Sequence, residues 1–147
     1  KEKLLNLLKT INKLNYRVIF PVHPRTKANL DKYEIQKLEN IKFLKPKNYK
    51  DFIELIKYLK FIISDSGGVQ EEAAIYRKPL LIPRQYTERP EMLNKFNILV
   101  KNNKELLMQS KNILNGNSSL EKSLLSTPLL YGKMKPIENI INGINNK

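Results

Sequence analysis

Phe61-Ile62-Ile63-Ser64-Asp65-Ser66-Gly67-Gly68-Val69-Gln70-Glu71-Glu72-Ala73-Ala74 changes character at its middle. Phe61 to Ser64 is a short apolar run with two β-branched isoleucines, which suits a strand buried on both faces. Val69 to Tyr76 places Val69, Ala73 and Tyr76 at i, i+4 and i+7, one face of a helix. Asp65, Ser66 and two glycines lie between. The pattern predicts a strand, a tight turn and a helix start in quick succession.

That turn has specific chemistry. Gly67 and Gly68 remove Cβ where the backbone is expected to bend, and they let a ligand come close. The first amides of a helix have no intrahelical partner and carry partial positive charge, which suits a phosphate. Ser66 can cap the helix or bond a phosphate oxygen. Glu72, one turn in, can accept hydrogen bonds from sugar hydroxyls. Taken alone, Asp65-Ser66 also reads as an ordinary N-cap before an ordinary helix.

Outward from this stretch, short strands alternate with helices. Helices are expected over Glu2–Leu14, Lys27–Leu38, Tyr49–Leu59 and Glu105–Leu114, the last capped by Asn103, with a further one over Ile137–Ile144. Strands are expected at Arg17–Val22, Ile41–Leu44, Phe61–Ser64, Pro79–Ile82 and Ile98–Val100. Pro90 opens a short helix. Asn115 to Thr127 is polar and weakly patterned, a loop or a frayed helix. The alternation implies right-handed crossovers and an α/β fold, a Rossmann-like, mostly parallel sheet flanked by helices. Such sheets bind ligands at the carboxyl ends of their strands. The loops there are His23–Arg25, Lys45–Asn48, Asp65–Gly68 and Arg84–Arg89, which hold the notable polar residues.

Composition narrows the rest. The 147 residues suffice for one domain with a real core. Hydrophobic residues make up 41%, without an apolar run long enough to span a membrane. No secretory signal pattern stands at the start, so the cytoplasm is the expected location. Cysteine is absent, which excludes disulfides and thiolate metal sites. The net charge is +13, but lysines far outnumber arginines and interleave with leucine and isoleucine at helical spacing. That is the pattern of solvated helix faces, so no nucleic-acid partner is expected. A positive field also favours an anionic nucleotide.

The wider run identifies a resemblance. Ser64-Asp65-Ser66-Gly67-Gly68-Val69-Gln70-Glu71-Glu72-Ala73 precedes Lys78-Pro79-Leu80-Leu81-Ile82 and Thr87-Glu88-Arg89-Pro90-Glu91, and Pro21-Val22-His23-Pro24-Arg25 stands upstream. From about Val18 to Leu99 the chain resembles the C-terminal half of the non-hydrolysing UDP-N-acetylglucosamine 2-epimerases. The resemblance implies a GT-B fold of two Rossmann-like domains, with the site in the cleft. Residues 1–147 are then the C-terminal nucleotide-binding domain, and the N-terminal domain, whose carboxylates do much of the acid–base work, is absent from this sequence.

The implied reaction is epimerisation at C2 by elimination of UDP and its re-addition, converting UDP-N-acetylglucosamine to UDP-N-acetylmannosamine, with no cofactor and no metal. The implied setting is cell-surface polysaccharide biosynthesis, with a homodimer as the full-length enzyme. His23 matches an active-site histidine, which can donate to the diphosphate or assist proton transfer. Ser66, Gly67 and Gly68 match the diphosphate cradle and Glu72 the glutamate that holds the ribose. Arg89 matches an arginine of the nucleotide site, its fork suited to phosphate; alone, it also reads as a surface ion pair with Glu88 or Glu91. Phe52 matches an aromatic of the nucleotide pocket and also fits plain core. Lys47 stands where the family often has a polar residue reading the base, a departure in residue type. A second departure is Tyr131-Gly132-Lys133-Met134, where the family often has an aspartate after the glycine. Two other readings stay open: half of a GT-B glycosyltransferase acting on UDP-sugars, and a stand-alone nucleotide-binding module.

Overall fold

Period-two burial explains the strands. Leu80, Leu81 and Ile82 are all buried, and Leu81 turns to the opposite face from its neighbours. A strand covered on both faces is apolar at every position. In the computed structural model, which describes residues 2–30 and 38–128, this strand is the middle of a parallel ladder. The elements run α1 (Glu2–Asn12), β1 (Val18–Pro21), α2 (Pro24–Leu30), β2 (Ile41–Leu44), α3 (Tyr49–Tyr58), β3 (Ile62–Ile63), α4 (Gly67–Ile75), β4 (Leu80–Ile82), a single 3-10 turn (Pro90–Met92), β5 (Asn97–Leu99), α5 (Asn103–Leu114) and α6 (Ser119–Ser126). All three strand pairings are parallel, as expected. Val18 lies opposite Ile41, Ile62 opposite Leu80, and Leu80 opposite Asn97. The strands form two ladders rather than one, β1-β2 and β3-β4-β5.

Two apolar layers sandwich the strands. On one face Leu5, Leu8 and Ile11 of α1 and Leu106 and Ile113 of α5 meet Leu81, and Ile63 and Phe20 pack against the same cluster. This layer reaches across both ladders. On the other face Ile56 of α3 and Ala73 of α4 meet Ile62, Leu80 and Ile82.

Two expectations are corrected and one open alternative is decided. The expected cap of α5 moves from Asn103 to Asn102, whose backbone is extended and whose side-chain oxygen accepts the Glu105 amide at 2.9 Å. Asn102→Ala is therefore expected to cost about 1 kcal/mol in a urea titration, and Asn103→Ala only a few tenths. Equal costs would refute this assignment. The 115–127 stretch contains a formed helix, α6, because Leu120 and Leu124, one turn apart, bury against Met92, Phe96 and Ala74. Arg77, at φ 51°, caps its end by donating to the Leu124 and Thr127 carbonyls. The helix expected from Lys27 begins earlier, at Pro24, where proline is tolerated in a first turn. Its continuation over 31–37, the Tyr131–Met134 departure and the Ile137–Ile144 helix lie outside the described residues. No described helix is long and apolar enough to cross a membrane.

Candidate nucleotide site

Within each ladder the strands share one direction, so the loops after β1 and β2 leave at one end of the first ladder and those after β3 and β4 at one end of the second. β1 delivers His23. Its carbonyl accepts the Thr26 and Lys27 amides at 2.9 Å each, which starts α2. Its ring Nδ1 accepts the Arg25 amide at 3.3 Å. A neutral ring that accepts at Nδ1 carries its proton on Nε2, so this exposed histidine offers a donor there.

β3 delivers Ser66, Gly67 and Gly68. Ser66 is the N-cap residue of α4, with extended backbone, and its carbonyl accepts the Gln70 amide at 3.1 Å. Its hydroxyl makes no capping hydrogen bond. The N-cap side chain therefore leaves the first amides of the helix uncapped, as an anion site needs. The glycines differ from expectation. Neither has a positive φ, so the bend does not demand them. A Cβ at Gly67 would touch Glu88 Oε2 at 3.6 Å, and one at Gly68 would meet open space. Their effect is to leave the amides bare to close approach.

Glu72 follows one turn along α4. Burial pushes its carboxyl above the usual carboxylate range, a hydrogen bond from Tyr49 opposes the rise, and the charge of Glu71 adds to it. Tyr49 is the first residue of α3. Desolvation and then the Glu72 charge raise its phenol. In the sequence Tyr49 stands out only as the first residue of an expected helix. The signal available was an aromatic hydroxyl immediately after a carboxyl-end loop.

Arg89 is held from α4. Its Nε and one terminal nitrogen lie 2.9 and 2.8 Å from Glu71 Oε1. The partner is thus Glu71, eighteen residues away, in addition to the neighbours considered from sequence. The backbone of this loop is fixed from below. The Arg89 amide donates to Thr87 Oγ1 at 3.1 Å, and that hydroxyl donates at 2.7 Å to Oε1 of Gln70, which is 2% exposed. Asn97 Nδ2 reaches the same oxygen at 3.4 Å. Gln70 and Thr87 thus hold the backbone of this loop, and neither was singled out in the sequence. Arg84 ties the loop after β4 to the loop after β3 by pairing with Asp65 at 2.7 Å. Its guanidinium is held protonated, first by that hydrogen bond and then by the charge.

The fold therefore gathers Ser66, Gly67, Gly68, Glu72 and Arg89 around the first half of α4. Phe52 packs inward, against the cluster of Ile56 and Ile62. Lys47 is exposed in the loop before α3. Among the described residues, no three His, Asp or Glu side chains converge on a possible metal site.

The chain resembles known proteins along most of its length. A family profile described as UDP-N-acetylglucosamine 2-epimerase matches residues 1–145. A Methanocaldococcus jannaschii protein named UDP-N-acetylglucosamine 2-epimerase is 40% identical over 123 residues, 78% of this chain and 34% of that one. A Salmonella borreze protein of the same name is 40% identical over 124 residues, 83% of this chain and 30% of that one. The crystal structure of a Methanocaldococcus jannaschii UDP-GlcNAc 2-epimerase in complex with UDP-GlcNAc and UDP superposes with a TM-score of 0.75 at 31% identity, covering 99% of this chain and 41% of that one. These neighbours have the GT-B fold. The chain spans about a third of the length of the curated relatives it matches.

Proposed function

Because this chain belongs to the UDP-N-acetylglucosamine 2-epimerase family, we propose that residues 1–147 are the C-terminal, UDP-binding domain of such an enzyme. The observation that carries this reading is the uncapped start of α4 beside an arginine held in place by the same helix. The amides of Gly67 and Gly68 and the Ser66 hydroxyl bind the diphosphate, Arg89 neutralises it, and the Glu72 carboxylate accepts the ribose hydroxyls. Lys47 faces the base, and Phe52 backs the pocket from the core. The whole enzyme removes the C2 proton of UDP-N-acetylglucosamine as the C1–oxygen bond to UDP breaks, which leaves a C1=C2 glycal, and then returns a proton to C2 on the opposite face as UDP adds again at C1. A donor at His23 Nε2 eases departure of the diphosphate oxygen. Deprotonation at C2 needs a base that this domain does not supply alone, so the isolated chain binds nucleotide without turnover. On the same reading the full-length protein is a cytoplasmic homodimer serving cell-surface polysaccharide biosynthesis, with neither nucleic acid nor membrane as partner.

Titration calorimetry with UDP tests the proposal. Weak saturable binding to the 147-residue chain, lost in a Gly68→Asp variant that places a carboxylate before the amides, is the expected result. An absence of heat, with no change in the amide spectrum of α4, would sink it.

Glu72 gives a second test. Ribose hydroxyls donate to its charged form, so affinity is present above its raised pKa and is lost as pH falls through it. UDP-N-acetylglucosamine is the probe, since its diester diphosphate does not titrate there, whereas a terminal phosphate does. The loss should come at higher pH than an ordinary carboxylate would give, and it should vanish in Glu72→Gln. Stability moves the other way. A carboxyl raised by folding costs nothing below its unfolded pKa, and the cost develops as pH climbs to the folded value. Glu72→Gln should therefore be the more stable protein at neutral pH while binding more weakly.

A further inference from the structure

Ser64, Asp65 and Ser66, all residue types that cap helices, stand in a row before the glycines of α4. The Ser64 hydroxyl is occupied short of the helix, where it accepts the Ser66 amide at 3.2 Å. The Ser66 hydroxyl makes no capping hydrogen bond. Asp65 is the strongest of the three as a cap. An aspartate readily accepts from the amide two residues on, here that of Gly67. Its charge is also favoured beside the positive end of a helix. It therefore competes with a diphosphate for the same amides, with the same kind of oxygen and the same sign of charge. In this structure its Oδ2 instead accepts from Arg84 Nε at 2.9 Å and lies 2.7 Å from a terminal guanidinium nitrogen.

Strand register brings the pair together. Ile63 lies opposite Leu81 in the β3-β4 ladder, so Asp65 and Arg84 follow at the same end of adjacent strands. The Arg84 amide donates to the Ile82 carbonyl at 2.8 Å, which turns the chain directly after β4 and sets where the side chain starts. The two side chains are 46% and 52% exposed. An ion pair that open contributes little to stability, so stability does not account for it. A second carboxylate stands close by, since Glu88 Oε2 lies 3.6 Å from where a Cβ of Gly67 would be. Release of Asp65 would add another negative charge beside the same amides. We propose that Arg84 is a positioning residue for the diphosphate: it holds the Asp65 carboxylate off the start of α4, so that the Gly67 and Gly68 amides stay open to the ligand. It acts through Asp65 and not by touching the nucleotide. The identity of the ligand rests on the nucleotide reading above, whereas the hold of Arg84 on Asp65 is a property of the chain alone.

A double-mutant cycle tests it, with melting curves to confirm that each variant is folded. Arg84→Gln frees Asp65, and UDP affinity measured by calorimetry should fall about tenfold, the size of effect a side-chain cap has. Asp65→Ala removes the competing carboxylate and should bind at least as tightly as the unsubstituted chain. Combining the two substitutions should bring affinity back to within about twofold of that chain. The rescue separates the roles. If Arg84 bonds the diphosphate itself, the double variant stays as weak as Arg84→Gln. If the pair only ties two loops together, all three variants weaken alike. Either pattern overturns the proposal. Amide exchange without nucleotide gives an independent readout. In Arg84→Gln the Gly67 or Gly68 amide, now bonded by Asp65, should exchange on the order of tenfold more slowly, and the double variant should reverse this. Unchanged exchange at both glycines also overturns the proposal. Slowed exchange in a series whose unsubstituted chain gives no heat with UDP supports the hold on Asp65 and counts against the nucleotide reading alone.

Discussion

Arg89→Ala is expected to weaken UDP binding on the order of 10- to 100-fold, since a hydrogen bond to a charged group contributes about 1.5–3 kcal/mol. The guanidinium is already oriented by Glu71 and its backbone by Thr87, so binding spends little entropy in ordering it. Arg89→Lys should recover only part of the loss, because an ammonium keeps the charge and loses the planar fork. Gln70→Ala should act in the same direction and more weakly: it leaves Arg89 in place but removes the acceptor that anchors Thr87. Calorimetry with UDP, with melting curves to confirm folding, separates these. Affinity unchanged in Arg89→Ala would move the diphosphate elsewhere on the domain.

The largest effect on stability is expected from Leu81→Ala. Leu81 is fully buried in the middle strand of its ladder and meets α1 and α5 in the layer that bridges the two ladders. Truncating such a side chain costs about 2–5 kcal/mol, the lost transfer energy plus the cavity left behind. Against a total of roughly 5–15 kcal/mol for a domain, that is a large fraction. Leu125→Ala, at a side chain 78% exposed, should shift the urea midpoint by less than about 0.5 kcal/mol. A loss at Leu81 as small as that at Leu125 would mean that the two ladders do not share one core.

Much of this was legible along the chain. Leu5, Leu8 and Ile11 sit on one helical stripe, and Leu80-Leu81-Ile82 is apolar without interruption; both signals lie within a few neighbouring residues. The carboxyl-end loops followed from strand direction, and the family resemblance singled out His23, Ser66 and Arg89 within them. What stayed open or moved involves packing and backbone geometry. The 115–127 stretch is too polar to announce a helix, and only burial of Leu120 and Leu124 against Met92 and Phe96 holds α6 together. The cap of α5 turned on a choice between two adjacent asparagines with equal propensity, decided by the extended backbone of Asn102.

Local periodicity and turn chemistry, then, established an α/β chain of parallel strands with an anion-ready helix start after β3, because those features depend on residues a few positions apart. The ion pair of Arg89 with Glu71, the contact of Tyr49 with Glu72 and the Gln70 anchor beneath the loop were settled only in three dimensions. Each joins residues far apart in sequence, and no spacing rule brings such groups together until the helices have chosen which face of the sheet to cover.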